Sequence, residues 1–149
     1  MHPEPKKLAG QIRRVTNRLI FLDKRSVFRH EGLRLHPSEI HLMQVIAEDP
    51  DLNAGGMARK LGVSNGAVSQ TLARLERKGV IKKAKDPSLK NRVSAAFTAS
   101  GRQAIQRFEE EQAASVESFS NYLAGLSELE REVIGSFLSH VDEFLKGLG

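Results

Sequence analysis

The sequence predicts a mostly α-helical chain with a small β-wing, an α+β class in which one compact lobe carries long N- and C-terminal helices. Three observations predict it. Apolar residues recur at helical spacing over most of the length. A Gly-Val-Ser junction at residues 62–64 separates two short helical stretches. A segment with strand alternation follows directly after them.

At 149 residues the chain suits one compact domain, or a small domain with appended helices, and 40% apolar content is enough for a core. The absence of Cys removes disulfides, thiolate catalysis, thiol redox sensing and Cys-ligated zinc together, and fits a reducing cytosol. Leu19–Leu22, the only apolar stretch near the start, is too short for a secretory signal, and no run approaches a membrane span. A cytoplasmic protein with no membrane partner is therefore expected. Net charge is +5, but unevenly spread. Residues 1–30 hold eight Lys/Arg against two acids, residues 31–100 eleven against seven, and residues 101–149 four against nine. A basic front with an acidic tail is expected when one end faces a polyanion, although charge alone leaves nucleic acid, acidic lipid and no partner all open.

Residues 6–30 are predicted helical. Leu8, Ile12, Val15, Leu19 and Leu22 alternate at spacings of four and three, a narrow seam that packs against another helix. Arg13, Arg14, Arg18, Lys24 and Arg25 lie off the seam, and Gly32 ends the segment. Pro37 opens a second helix with Ile40, Leu42, Met43, Ile46 and Ala47 inward, closed by Glu48-Asp49-Pro50-Asp51. Asn53 caps a short third helix reaching Leu61, and Gly62 stands where a left-handed residue is needed. Gly55 and Gly56 weaken that helix, which makes sense only if the backbone there approaches something closely.

Ser64 then caps a fourth helix. Ala67, Val68, Leu72 and Leu75 share its inner face, and Asn65, Gly66, Ser69, Gln70, Arg74 and Arg77 its outer one. That outer face is small, amide-rich and cationic, with no acid before Glu76, whereas a solvated helix face ordinarily mixes Glu with Lys. It is built to lie in a groove. After Gly79, residues 80–86 and 92–98 read as two strands, the second alternating Val93, Ala95 and Phe97 inward, joined by Pro87-Ser88-Leu89-Lys90-Asn91. A basic hairpin in this position is a wing. Thr98 or Ser100 caps a long helix to about Leu123, and Ser127-Glu128-Leu129-Glu130 is a capping box for a last one.

The resulting division is a winged helix-turn-helix lobe at about 33–100, with dimerisation helices at about 6–31 and 101–149. The apolar seams of those outer helices exceed what so small a lobe can cover. Either they form an intramolecular three-helix bundle, or helices of two copies interleave in an isologous homodimer. The dimer is the preferred reading, because two-fold operators need paired reading heads roughly 34–36 Å apart.

Leu61-Gly62-Val63-Ser64, Leu75-Glu76-Arg77-Lys78-Gly79-Val80-Ile81 and Phe97-Thr98-Ala99-Ser100-Gly101, in this order and spacing, resemble the multiple-antibiotic-resistance regulator (MarR) family across residues 8–145. The resemblance implies a triangular homodimer that represses nearby genes and is often released by a small aromatic or phenolic effector. Two departures stand out. The family's Asp-x-Arg wing tip is replaced by Leu89 and Asn91, flanked by Lys90 and Arg92, and His36 stands where the family commonly has a capping Thr.

The expected function is therefore sequence-specific duplex DNA binding, with a protein- or RNA-interaction winged helix as the alternative. Base edges are assigned to Asn65, Ser69, Gln70 and Arg74, with Arg77 on the same face. Phosphates are assigned to Ser38, Ser64, Arg59, Lys60, Lys78, Lys83 and Lys85, and the minor groove to Lys90 and Arg92. An effector pocket, by resemblance, draws on Arg14, Arg18, Phe21 and His41. No catalytic motif is present: there is no phosphate-binding Gly-rich loop, G-x-S-x-G or HExxH, and Glu109-Glu110-Glu111 point to different sides of a helix. No metal or cofactor is expected; His41 with Glu39 or Glu109 makes a poor site, and the helix after the wing has no His.

Overall fold

A proline opens each of the first two helices, α1 (Pro5–Arg25) and α2 (Pro37–Glu48), where a missing N–H forfeits no helical bond. In this computed structural model, which describes residues 3–89 and 92–147, α1 ends at Arg25 rather than continuing to residue 30. The cause is a hairpin that the sequence reading missed. Strands β1 (Phe28–His30) and β2 (Leu33–Leu35) pair antiparallel, Phe28 opposite Leu35, around the two-residue loop Glu31-Gly32. Both loop residues have positive φ, 46° and 82°, as in the type I′ turn whose twist suits adjoining strands. Gly32 is thus a turn residue and not a helix stop.

The helix-turn-helix follows as α3 (Ala54–Leu61) and α4 (Asn65–Arg77). The wing is β3 (Ile81–Asp86), a single 3₁₀ turn at Pro87–Leu89, and β4 (Arg92–Phe97), with Ile81 opposite Phe97 and Asp86 opposite Arg92. Two long helices complete the chain, α5 (Ala99–Ala124) and α6 (Glu128–Lys146).

The described residues form two compact units, one ending at Phe108 and one beginning at Glu109. In the first, Leu35, Met43, Met57, Leu75 and Val80 are fully buried, so β2, α2, α3, α4 and the start of the wing share one core. Ala104 and Ile105 of α5 join it, and Phe108 sets its ring edge-on against Phe28 with centroids 5.4 Å apart. Ala47, expected inward, is exposed.

Two junctions hold the lobe in register. At the wing's exit, the Thr98 N–H donates to the Val80 carbonyl at 3.1 Å and the Thr98 hydroxyl to the Gly79 carbonyl at 2.6 Å. The same hydroxyl oxygen accepts from the Gly101 N–H at 3.1 Å, which makes Thr98 the cap of α5. A Cβ at position 101 would lie 1.9 Å from the Val80 carbonyl oxygen, so only glycine fits. At Gly56, a Cβ would lie 2.5 Å from Leu52 Cδ2, a close approach, whereas at Gly55 it would meet nothing nearer than 3.4 Å.

The second unit comprises the rest of α5 and all of α6. Its turn carries the expected capping box: Glu130 Oε2 accepts from the Ser127 N–H at 2.8 Å, and Ser127 Oγ accepts from the Glu130 N–H at 3.3 Å. Phe119, Tyr122, Leu129, Val133 and Phe144 remain 61–73% exposed, and neither α6 nor α1 has a buried residue.

Candidate nucleic-acid interface

The second helix of the helix-turn-helix, α4, is placed by its ends. Asn53 Oδ1 accepts from the Gly56 N–H at 2.8 Å and starts α3; Ser64 Oγ accepts from the Ala67 N–H at 3.1 Å and starts α4. Both helices finish identically. Gly62 and Gly79 take φ of 66° and 72°, and the next residues, Val63 and Val80, donate their N–H groups back to Ala58 and Leu75 at 3.1 Å. This Schellman closure satisfies carbonyls that a helix end would otherwise leave open and turns the chain sharply.

Between those ends, α4 buries Val68, Thr71, Leu72 and Leu75. Asn65, Gly66, Ala67, Ser69, Gln70 and Arg77 are exposed, so Ala67 belongs to the outer face rather than the inner one assigned from sequence. Ser64 uses its lone pair for capping and retains a hydroxyl proton to donate. Asn65, Ser69 and Gln70 thus stand on one solvent-facing side with amide and hydroxyl groups unspent on the lobe.

The remaining assigned residues divide by what they already touch. Ser38, Arg59, Lys85 and Arg92 are exposed. Lys60 pairs with Glu48 at 2.8 Å, and Lys83 with Glu76 at 3.1 Å. The Lys83 ammonium, followed by the Lys83 backbone N–H, holds the Glu76 carboxyl below its ordinary range. Exposed pairs of this kind hold weakly. Lys90, with Asn91 beside it, lies outside the described residues.

Arg74 and Lys78 are bound differently. Both reach Glu39 of α2, a glutamate with 0% exposure that the sequence reading assigned no role. Glu39 Oε2 accepts from the His36 N–H at 2.8 Å and from Lys78 Nζ at 2.7 Å, and Lys78 Nζ also donates to the Arg34 carbonyl at 2.6 Å. Oε1 makes no hydrogen bond and faces Arg74 Nε at 3.5 Å. Burial pushes the Glu39 carboxyl up, but the Lys78 bond, the His36 N–H and the Lys78 charge together leave it below its ordinary value. The sequence did carry a sign of it: a Glu three residues after the N-cap His36 is the acidic half of a capping box.

The four residues assigned to an effector pocket are not gathered. A cavity of about 160 Å³ beside His41 is lined by Ser38, Leu42, Leu61, Val63, Ala67, Val68 and Thr71, without Arg14, Arg18 or Phe21. Those three are exposed on α1, and the Phe21 ring lies under the Arg25 guanidinium at 4.9 Å. His41 Nε2 lies 3.4 Å from Asp23 Oδ1, linking α2 to α1. Among the described residues, no three His, Cys, Asp or Glu side chains gather as a metal site, and no helix is long and apolar enough to cross a membrane.

The helix-turn-helix and the two-stranded wing together define a winged helix-turn-helix fold. The MarR family model matches residues 35–90, from the end of β2 into the wing. Among curated relatives, the uncharacterized HTH-type transcriptional regulator YcgE of Bacillus subtilis (strain 168) is 32% identical over 76 residues. That stretch is 48% of this chain and 49% of YcgE, so the match spans about half the relative's length. Streptococcus pneumoniae FabT, solved in complex with DNA, superposes with a TM-score of 0.82 at 24% identity, over 98% of this chain and 100% of that one. The zinc-responsive MarR family member ZitR of Lactococcus lactis gives 0.72 at 17% identity, over 93% and 99% of the two chains. The PcaV transcriptional regulator of Streptomyces coelicolor gives 0.66 at 19% identity, over 93% and 98%. At these identities the structural likenesses establish the fold.

Proposed function

We propose that the chain is a transcription regulator that binds duplex DNA sequence-specifically as a homodimer, laying α4 in the major groove. The observation that carries this reading is the outer face of α4, where Asn65, Ser69 and Gln70 are exposed and no acid precedes Glu76. Gln and Asn match the paired donor and acceptor of adenine, and an N-capped helix presents such residues at its leading end. Arg59, Lys85 and Arg92 supply backbone charge, and Lys60 and Lys83 add theirs once a phosphate displaces Glu48 and Glu76. Repression, relieved by a small aromatic or phenolic effector, completes the proposal and rests on the family resemblance alone; a cytoplasmic location follows the composition instead.

The homodimer accounts for the apolar side chains that one copy leaves bare. In the second unit an open groove of about 390 Å³, lined by Tyr122, Leu126, Leu129, Val133, Ile134 and Glu130, offers a seat for another helix. Selection of bound fragments from random-sequence duplex DNA tests the function. A recurrent motif is expected, and Gln70→Ala or Arg74→Ala should weaken binding to it by roughly 1–3 kcal/mol in fluorescence anisotropy at fixed salt. Enrichment of no motif at low ionic strength would overturn the reading.

A further inference from the structure

Resting on the DNA-binding reading above, we propose that Glu39 is a positioning residue for base readout, its buried carboxylate fixing the Arg74 guanidinium in the orientation in which it meets the groove. The two carboxylate oxygens have separate tasks. Oε2 is saturated by the His36 N–H and Lys78 Nζ, and Lys78 is itself anchored on the Arg34 carbonyl, so the carboxylate cannot swing. Oε1 is buried, without a hydrogen bond, and has Arg74 Nε against it at 3.5 Å.

The other side of the guanidinium is also held. Arg74 Nη2 donates to Thr71 Oγ1 at 2.8 Å, and the Thr71 hydroxyl donates to the Ala67 carbonyl at 2.9 Å, one turn back on α4. Two of the three guanidinium nitrogens therefore face the lobe, and Nη1 remains for a ligand. The side chain is 38% exposed, so it is neither sealed in the core nor free to sample many rotamers. A buried ion pair is a poor way to join two helices, since apolar residues of similar volume do so at least as well. A buried oxygen kept without a full partner calls for another reason, and orienting the arginine of the reading helix supplies one. Pre-ordering a long side chain removes an entropy cost that binding would otherwise carry.

The test uses the full chain, a duplex it selects from random sequence, and a scrambled duplex of equal length, with anisotropy over a series of KCl concentrations. Glu39→Gln keeps the shape and an oxygen for the His36 N–H but removes the charge. With folding verified by circular dichroism, the selected-to-scrambled affinity ratio should fall about tenfold. The slope of log affinity against log salt should steepen by about one, as the freed Lys78 turns to a phosphate. In an Arg74→Ala background, Glu39→Gln should leave the ratio where Arg74→Ala alone sets it. Loss of packing alone would not change the salt slope. Should Glu39→Gln fail to fold, Thr71→Val removes the second anchor with Glu39 in place and should lower the same ratio. In the free wild-type protein the Arg74 Nε–H resonance should exchange more slowly with water than those of exposed Arg59 and Arg77. A folded Glu39→Gln variant with undiminished discrimination, a full additional loss in the Arg74→Ala background, or an Arg74 resonance as labile as the exposed ones overturns the proposal. A wild-type chain that selects no duplex sinks the DNA-binding reading itself, and this one with it.

Discussion

Position 101 admits one amino acid because a carbonyl stands where any side chain would begin. The Val80 oxygen that accepts from Thr98 lies 1.9 Å from the place of a Cβ at Gly101, and backbone cannot yield as a side-chain tip does. Gly101→Ala should therefore destabilise the lobe by about 1–3 kcal/mol or more, read as a lower urea midpoint at unchanged slope. A variant as stable as the parent would mean that α5 relaxes away from the wing. Glu39 acts through charge instead. Its folded pKa lies below the ordinary 4.5, so its contribution is complete above that value and is lost as pH falls through the folded pKa. Urea midpoints should fall between pH 6 and pH 3, and more shallowly in Glu39→Gln; parallel curves would contradict the assignment. Caps such as Asn53, Ser64 and Ser127 were legible in sequence because their partners lie three residues away. Glu39 was not, because Arg74 and Lys78 lie 35 and 39 residues on and only the tertiary fold brings them near.

At the scale of elements, helix existence and order were readable because apolar spacing and cap chemistry agreed along the chain. The exceptions have local causes. The β1–β2 hairpin was absorbed into α1 because three-residue strands are too short to show a clear period and the apolar seam of α1 ran on toward them. Its sign was Glu31-Gly32, a two-residue loop between Phe28-x-His30 and Leu33-x-Leu35. Ala67 was assigned inward by spacing, yet a methyl group is small enough to sit on the rim of either face. The capping logic is testable on α3, which is only eight residues long and holds two glycines. Asn53→Ala should cost about 1 kcal/mol of unfolding free energy. No measurable loss would mean that tertiary packing alone sets the start of α3.

For the molecule as a whole, the sequence indicated that the outer helices needed a partner surface but left the nature of that surface open. Leu19 of α1 and Phe119 of α5 are 62% and 73% exposed, a degree of apolar exposure that marks an interaction surface. In the homodimer proposed above, Leu19→Glu or Phe119→Glu should shift the sedimenting species toward half its mass and weaken DNA binding while the lobe stays folded. Unaltered sedimentation of both variants would place the interface elsewhere. One consequence follows from helices that bury none of their own residues. Isolated helices of about 20 residues are marginal in water, so in the homodimer proposed above α1 and α6 would gain much of their order from a second copy. If that homodimer forms, dilution acts on the chain as a denaturant: the temperature at which its outer helices melt should climb with protein concentration, and abundance itself becomes a determinant of shape.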